Sequence, residues 1–279
     1  MGTTCRRRHP LRACLPRITT AALLLLLEAG ADAGDAAELR SEEVTFQRKD
    51  GRTITALLLR PAENRRHPAV LIFHGAEGVG ESHKAHARRL AGAGFVALLP
   101  QLASIRLGAN ESAGLIRSEI AAAVSLLKGR RDVDPGRLGL LGFARGGERA
   151  LFAAMAFPAT FKAVVEYYSP IGHPPMKLEL AARNTASKIH TPVLILHGEE
   201  DQLVPVEHAR RLAEALRAAG KPFESILFPG AAHGFDQENQ PWYSPAAARE
   251  AEADTLTFFG RHLKGSSESA VNRKSRAQE

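Results

Sequence analysis

The order of apolar and polar residues predicts a β-hairpin at the start of the folded part of the chain. Glu43–Lys49 alternates apolar and polar residues, as does a half-buried strand. Asp50-Gly51 is a strong turn signal, and Thr53–Leu59 continues in an extended pattern. The sequence therefore predicts two antiparallel strands joined by a short turn.

Continuous apolar runs farther along predict strands that are buried on both faces of a sheet. They lie at Pro68–Phe73, Phe95–Leu99, Arg137–Gly142, Ala163–Tyr168, Val193–His197 and Ser225–Phe228. Stretches with helical periodicity separate most of them, at residues 82–92, Glu111–Leu127 with Asn110 as its cap, Gly146–Ala156, a stretch opened by Pro205, and residues 246–263. We therefore expect one α/β domain over residues 41–263, with a mostly parallel sheet, helices on both faces and the hairpin at one edge.

The N-terminus has the pattern of a targeting segment. Residues 5–17 carry five arginines and no acid, the apolar run Ala21–Leu27 follows, and small residues continue to Ala33. This pattern predicts a secretory signal peptide over residues 1–33, and hence a secreted or periplasmic protein. The apolar run is short for a membrane span, so we expect none after cleavage; an uncleaved anchor is the alternative. At the other end, the Ser-rich and charged residues 264–279 predict a disordered tail.

Composition narrows the function classes. The chain has 279 residues, of which 44% are hydrophobic and 24% charged, as in ordinary soluble globular proteins. Its net charge of +7 falls to +4 without residues 1–33, and no basic stripe with interleaved aromatic residues remains. We therefore expect no nucleic-acid partner.

The positions of the cysteines exclude several kinds of chemistry. The two cysteines, Cys5 and Cys14, both lie in the leader, so the body has no disulfide, no cysteine-bound zinc and no cysteine nucleophile. No set of His, Asp and Glu residues has metal-binding spacing, and the glycines near Gly78 lack the Lys-Ser/Thr of a phosphate-binding loop. We expect neither a metal nor a cofactor.

Three loops at the carboxyl ends of predicted strands carry candidate catalytic residues. Gly142-x-x-x-Gly146 joins a strand directly to a helix, with the spacing of a nucleophile elbow. Asp201 follows the strand that ends at His197, and His233 follows the last strand. An elbow, then an acid, then a histidine is the order found in α/β-hydrolases. In such a site His233 is the base, Asp201 holds its tautomer, and the backbone N–H of Arg145 faces the oxyanion hole.

Residues 41–263 resemble the dienelactone hydrolase family of the α/β-hydrolase superfamily. The approach to the elbow, Val133-Asp-Pro-Gly-Arg-Leu-Gly-Leu-Leu-Gly-Phe-x-Arg-Gly-Gly147, is similar to that of the family. So are His74-Gly-Ala-Glu-Gly78, in the place of its oxyanion loop, His233-Gly-Phe-Asp236, and the later Tyr243-Ser-Pro-Ala-Ala-Ala. The resemblance implies hydrolysis of a small ester or lactone, with the N–H of Ala76 as the second oxyanion donor.

The sequence departs from the family at the centre of the elbow. Family members carry Cys or Ser there, whereas this chain has Ala144, whose methyl group cannot attack a carbonyl. Loss of the nucleophile from a hydrolase triad costs about a million-fold in turnover in a subtilisin-type enzyme. Ser104 and Ser169 also follow strands, but neither has an elbow to aim its hydroxyl group.

Three functions stay open. The first is an ester or lactone hydrolase of low or lost activity, in which any residual turnover comes from water activated by His233. The second is a pseudohydrolase that binds a ligand without catalysis. The third is proton abstraction by the pair of His233 and Asp201 from an acidic C–H group. The sequence leaves the substrate and the oligomeric state open.

Overall fold

The computed structural model describes residues 38–102, 112–172 and 176–265. Within them, eight strands form one sheet in the order β1-β2-β4-β3-β5-β6-β7-β8. The strands are β1 (Leu39–Gln47), β2 (Thr53–Pro61), β3 (His67–Phe73), β4 (Val96–Pro100), β5 (Val133–Phe143), β6 (Phe161–Tyr167), β7 (Val193–Gly198) and β8 (Phe223–Phe228). The predicted hairpin is confirmed: β1 and β2 pair antiparallel at one edge, β2 pairs antiparallel with β4, and the remaining pairs are parallel.

Helices cover both faces of this sheet, as predicted. They are α1 (Glu81–Gly92), α2 (Ala113–Gly129), α3 (Arg145–Ala156), α4 (Leu178–Lys188), α5 (Glu207–Ala218) and α6 (Pro245–Phe259), which continues into a π-helical turn, Gly260–Lys264. Residues of α2, α3, α4 and α5 share one buried apolar cluster with the sheet, and residues of α1 and α6 share the other. Along β3, Leu71 faces the first cluster and Ile72 the second, as the two-residue period of a strand requires.

Several element boundaries differ from those predicted. Helix α2 begins at Ala113, where the Ser112 side chain caps it by accepting from Leu115 N at 3.3 Å. The predicted cap Asn110 lies outside the described residues, as does Glu111. Helix α5 begins at Glu207 rather than at Pro205, and the last α-helix ends at Phe259 before the π-helical turn.

Helix α4 was not predicted from the sequence. Its buried face consists of Ala181, Ala182, Thr185 and Ala186, which are small residues. Because alanine contributes little hydrophobic contrast, this face gave no clear periodic signal.

Both predicted terminal segments fall mainly outside the described residues. The predicted signal peptide over residues 1–33 and residues 266–279 of the predicted tail are among those not described. Lys264 still belongs to the π-helical turn, where its ammonium group donates to Ala93 O and lies 4.8 Å from the centre of the Phe95 ring. In the part of the chain that the structure describes, no helix is both long and apolar enough to cross a membrane.

Candidate active site

Ala144 occupies a strained turn between β5 and α3. Its backbone angles are φ 49° and ψ −121°, a region that residues with a side chain rarely adopt. Such a conformation costs on the order of 1–3 kcal/mol and persists only where the surroundings impose it. Here Ala144 N donates to Tyr167 O at 2.9 Å, and Gly147 N donates to Ala144 O at 2.9 Å. The chain therefore has the backbone of a nucleophile elbow without a nucleophilic atom.

Two glycines of the elbow are required by close backbone contacts. A Cβ atom on Gly142 would lie 2.3 Å from Gly146 O, and one on Gly146 would lie 2.2 Å from Phe73 O. The first turn of α3 is thus pressed against the end of β3. As a result, the loop that contains Ala76 and the helix that begins at Arg145 meet at one edge of the sheet, where the two oxyanion donors were predicted.

Asp201 and His233 form the hydrogen-bonded pair that the sequence predicted. The Asp201 Oδ2 atom lies 2.7 Å from His233 Nδ1, while Oδ1 accepts from Leu203 N at 2.9 Å and from Val204 N at 2.7 Å. Because a carboxylate only accepts, the His233 proton lies on Nδ1, and Nε2 of the neutral ring is a base. Burial alone would raise the pKa of Asp201, but hydrogen bonds from His197 and His233 outweigh it and hold this pKa well below its usual range.

The loops after β7 and β8 are joined by their backbones. Glu199 N donates to Phe228 O at 3.0 Å, and Glu200 N donates to Ala231 O at 2.9 Å. A Cβ atom on Gly198 would lie 2.2 Å from Ala231 O, so only glycine fits where the loops meet. These contacts bring Asp201 to His233, which is 32 residues away in sequence.

His197 is a second histidine on Asp201 to which sequence reasoning gave no role. It is fully buried, and its Nε2 atom lies 2.9 Å from Val204 O and 3.4 Å from Asp201 Oδ2. Because the Val204 carbonyl only accepts, Nε2 carries a proton, which also faces the carboxylate. The available signal was its place in His197-Gly-Glu-Glu-Asp201, immediately before the acid.

A buried network behind His233 was also missed. Tyr168 has a positive φ of 41°, and its ring centre lies 4.6 Å from that of His233. The Tyr168 hydroxyl donates to Asp236 Oδ1 at 2.6 Å, and His86 Nε2 lies 2.8 Å from Asp236 Oδ2. All three members of the network are buried. The wall against which the His233 ring packs is therefore fixed by α1, the end of β6 and the loop after β8.

The oxyanion loop carries further polar side chains. His74 Nε2 accepts from Leu102 N at 3.0 Å, so this histidine anchors the loop from beneath. Gly80 N donates to His83 Nδ1 at 3.0 Å, which leaves the proton of neutral His83 on Nε2, 3.4 Å from Glu77 Oε1. Burial lowers the pKa of His83 to about 3, so the ring stays neutral. Desolvation raises the pKa of Glu77, although its side chain is 48% exposed.

The two candidate substitute nucleophiles are not equally placed by the structure. Ser169 is 1% exposed, and its Oγ atom occupies the space that a Cβ atom on Gly147 would need. Its hydroxyl is thus packed against α3, and Ser104 lies outside the described residues. Within the described residues, no group of three or more His, Cys, Asp or Glu side chains is arranged to hold a metal ion.

Sequence comparison decides the family. The model of the dienelactone hydrolase family matches residues 54–263, from β2 to the π-helical turn. The chain belongs to the dienelactone hydrolase family. This match covers the elbow, Asp201 and His233 in a single stretch.

Curated relatives of this family member cover most of its length. A Methylorubrum extorquens protein provisionally assigned as a carboxymethylenebutenolidase is 30% identical over 245 residues, which are 82% of this chain and 84% of the relative. A Bradyrhizobium protein provisionally assigned as a 2-oxo-3-(5-oxofuran-2-ylidene)propanoate lactonase is 30% identical over 77% of this chain and 92% of its own.

Solved structures show the same fold. A dienelactone hydrolase homologue from Klebsiella pneumoniae superposes with a TM-score of 0.71 at 23% identity and covers 80% of this chain and 99% of its own. A dienelactone hydrolase-like phosphotriesterase from metagenomic libraries gives a TM-score of 0.67 at 22% identity, over 81% of this chain and 99% of its own. At these identities, the structures support the α/β-hydrolase fold.

Proposed function

We propose that this dienelactone hydrolase family member binds small carboxylic esters or lactones and hydrolyses them only slowly. One observation carries the proposal: Ala144 is held in the strained elbow conformation while His233 and Asp201 keep a 2.7 Å hydrogen bond. The acid–base machinery and the turn are present, and the attacking atom is not. The lactonase name of the Bradyrhizobium relative supports lactones as one substrate class.

Slow hydrolysis in this site uses water as the nucleophile. His233 Nε2 accepts a proton as the water oxygen attacks the ester carbonyl, and Asp201 stabilises the resulting imidazolium. The backbone N–H groups of Ala76 and Arg145 stabilise the negative oxygen. The C–O bond then breaks, and Nε2 returns the proton to the leaving alcohol. No covalent acyl-enzyme forms in this sequence of steps.

The second candidate is a pseudohydrolase that binds its ligand without turnover. Ala144 itself favours this function, because nearly all turnover in a triad hydrolase depends on the nucleophile. The two candidates share a ligand and differ in whether His233 activates water productively.

Restoring the nucleophile tests the proposal. We expect Ala144→Ser and Ala144→Cys to raise aryl-ester hydrolysis by a factor of up to about a million, since removal of a triad nucleophile costs that much. The measurement is the initial rate at which the purified protein releases phenol from an aryl ester. The additional substitution His233→Ala should abolish the increase in rate. Ser169→Ala is the matched control, and its activity should equal that of the natural chain.

The outcomes separate the two candidates. If the natural chain hydrolyses esters slowly and His233→Ala stops it, the water mechanism holds. If the natural chain only binds esters, measured by calorimetry, while Ala144→Ser hydrolyses them, the protein is a pseudohydrolase. An absence of both ester binding and restored activity would contradict the proposal.

We also infer from the leader that the mature chain acts outside the cytoplasm. The arginine-rich stretch, the apolar run and the small residues that end at Ala33 support this location.

A further inference from the structure

We propose that His197 is a positioning residue that shares one oxygen of Asp201 with His233 and thereby makes His233 a weaker base. The inference rests on the proposed function, because His233 is the base that activates water there. It deepens that function by assigning the control of this base to a buried histidine that touches no reacting atom.

The two oxygens of Asp201 have separate tasks. Oδ1 accepts from Leu203 N at 2.9 Å and from Val204 N at 2.7 Å. These backbone groups belong to the loop after β7, and they hold the carboxylate in place without a contribution from another side chain. Oδ2 faces two imidazole rings, at 2.7 Å from His233 Nδ1 and 3.4 Å from His197 Nε2. The contacts of Oδ2 therefore set the charge that His233 meets, while those of Oδ1 set the orientation.

His197 directs an N–H group at Oδ2 from a fixed position. It lies near the end of β7, is fully buried, and its Nε2 atom is 2.9 Å from Val204 O. Because the carbonyl only accepts, the proton on Nε2 is shared between Val204 O and Asp201 Oδ2. This second N–H on Oδ2 competes with the one that His233 Nδ1 donates.

The competition acts on His233 in a definite direction. A proton added to His233 Nε2 makes the ring an imidazolium, which Asp201 stabilises through Nδ1. Oδ2 stabilises this charge less when it also accepts from His197. His233 therefore gives up its added proton more readily and stays neutral over a wider pH range than with Asp201 as its own exclusive partner.

Packing alone does not account for a histidine at position 197. Its Nδ1 atom is buried and has no hydrogen-bond partner in the part of the chain that the structure describes. An unpaired buried acceptor costs free energy, and leucine would fill a similar space without that cost. The polar atom of this ring that finds partners is Nε2, which faces the carboxylate.

Titratable groups from three elements face His197. They are Asp201 in the loop after its own strand, Glu166 on β6 and His208 on α5. Burial opposes a second proton on His197, but the hydrogen bond to Asp201 and the charge of Glu166 outweigh it and raise the pKa of this ring. A positive charge on His197 would weaken the hold of Asp201 on His233 in the same direction as the N–H group does.

An NMR titration of His233 in the natural chain and in His197→Leu tests the inference. The His233 ring signal is the one that is missing in His233→Ala, and its chemical shift is followed with pH. In His197→Leu, Asp201 keeps both backbone donors and loses the competing N–H group. We therefore expect the midpoint of the His233 titration to move to higher pH by about 0.5–1 pH units.

A second variant separates the N–H group from the rest of the ring. Glutamine can place an amide N–H near the position of Nε2 and cannot become charged. The midpoint for His197→Gln should therefore lie below that for His197→Leu. If His197→Leu does not fold, as urea denaturation shows, His197→Met takes its place with the same expected midpoint, because methionine adapts to irregular buried space.

His67→Leu is the matched control. His67 is also fully buried, and its Nδ1 atom lies 3.1 Å from a backbone carbonyl, that of Gly94. It begins β3, which runs parallel to β7, so it lies at the opposite ends of the strands from Asp201. Its loss should leave the His233 midpoint unchanged.

Two results would overturn the inference. The first is a midpoint in His197→Leu that stays the same or falls, because a fall would show that His197 holds Asp201 in place for His233. The second is a midpoint for His197→Gln as high as that for His197→Leu, because the N–H group would then have no effect on Oδ2.

Failure of this inference differs from failure of the proposed function. In Ala144→Ser, adding His197→Leu should move the pH of half-maximal aryl-ester hydrolysis upward by the same amount as the NMR midpoint. If Ala144→Ser neither binds nor hydrolyses esters, the proposed function is overturned, and the NMR midpoints still decide the role of His197. If Ala144→Ser is active and neither midpoint moves, the proposed function stands and the role of His197 is overturned.

Discussion

At the scale of single residues, the turn between β5 and α3 holds Ala144 in a strained backbone conformation. Ala144 keeps a φ of 49° although its side chain has no atom to aim. The conformation is imposed by its neighbours, since Gly142 and Gly146 allow backbone contacts that fix the path of the turn. The elbow is therefore a property of the packing between β3, β5 and α3, and it does not depend on which side chain occupies its centre.

Ala144→Gly should stabilise the protein. Glycine adopts the backbone angles of this position without a steric cost, so relief of strain is worth on the order of 1–3 kcal/mol. The greater freedom of glycine in the unfolded chain offsets about 0.4–1 kcal/mol of this gain. We expect a net gain of about 1 kcal/mol in the free energy of unfolding, measured by urea denaturation.

The matched control is the same substitution in a helix. Ala121 lies on the exposed face of α2, and Ala121→Gly should destabilise the protein by about 1 kcal/mol. Equal losses in the two variants would show that the elbow at residue 144 is not strained.

At the scale of elements, buried polar groups collect where β6 and β7 end. Glu166 is 1% exposed and accepts from Ser169 N at 3.0 Å, and fully buried His197 contacts Asp201 from the neighbouring strand. Burial raises the pKa of Glu166 to about 6, while the charge on His197 opposes this rise. The two carboxyl groups at these strand ends thus have pKa values shifted in opposite directions: that of Asp201 is lowered and that of Glu166 is raised.

Glu166→Gln should change stability in a pH-dependent way. The pKa of Glu166 is higher in the folded chain than in the unfolded chain, so stability is lost as pH rises through about 6. Glutamine keeps an acceptor for Ser169 N and has no charge to bury. Relative to the natural chain, we expect the variant to gain about 2 kcal/mol at pH 8 and nothing at pH 4, measured by urea denaturation at each pH.

Glu224→Gln is the control for this experiment. Glu224 pairs with Arg261 at 2.7 Å on the surface, so its loss should change stability by less than about 1 kcal/mol at either pH. A loss of stability in Glu166→Gln above pH 6 would contradict the expectation and indicate that a buried ion pair with His197 had been broken.

One carboxylate links two other elements to its own loop behind the His233 ring. Asp236, in the loop after β8, accepts from Tyr168 at the end of β6 and binds His86 of α1. Hydrogen bonding from His86 and Tyr168 outweighs burial and lowers the pKa of Asp236, so the carboxylate stays ionised. The Tyr168 ring, against which His233 packs, is therefore fixed by contacts among the end of β6, helix α1 and the loop after β8.

At the scale of the whole molecule, cleavage of the predicted signal peptide would change the composition of the chain. Both cysteines lie within residues 1–33, so cleavage there would leave a protein without any thiol. Cleavage would also lower the net charge from +7 to +4. Such a mature chain, with Ala144 at the elbow and no other thiol, could form no thioester intermediate.

We expect export and cleavage when the full chain is expressed in a bacterium with two membranes. The mature protein should appear in the periplasm or the medium and begin at Asp32 or Gly34, because the small-residue sites end at Ala31 and Ala33. Intact-mass spectrometry identifies the first residue. A control chain that lacks Ala21–Leu27 should stay in the cytoplasm, and membrane-bound protein that retains Met1 would indicate an uncleaved anchor instead.

The sequence by itself determined the fold class, the edge hairpin and the two members of a hydrogen-bonded pair, Asp201 and His233. Apolar runs and glycine spacing are local signals. The order of elbow, acid and histidine along the chain can likewise be seen in the sequence without knowledge of the fold. It also determined the decisive chemical fact, which is that residue 144 is an alanine. The small buried face of α4 carried too little hydrophobic contrast to be predicted.

Only the tertiary structure decided how the site is supported. The contacts of His197 with Asp201, and those of Tyr168 and His86 with Asp236, join residues from separate strands, loops and helices. These residues are separated by up to 150 positions in the sequence, and a pattern of apolar and polar residues does not predict contacts over such distances. Hydrogen-bond geometry also fixed which nitrogen of His233 carries the proton, because a tautomer depends on the partner that folding brings to the ring.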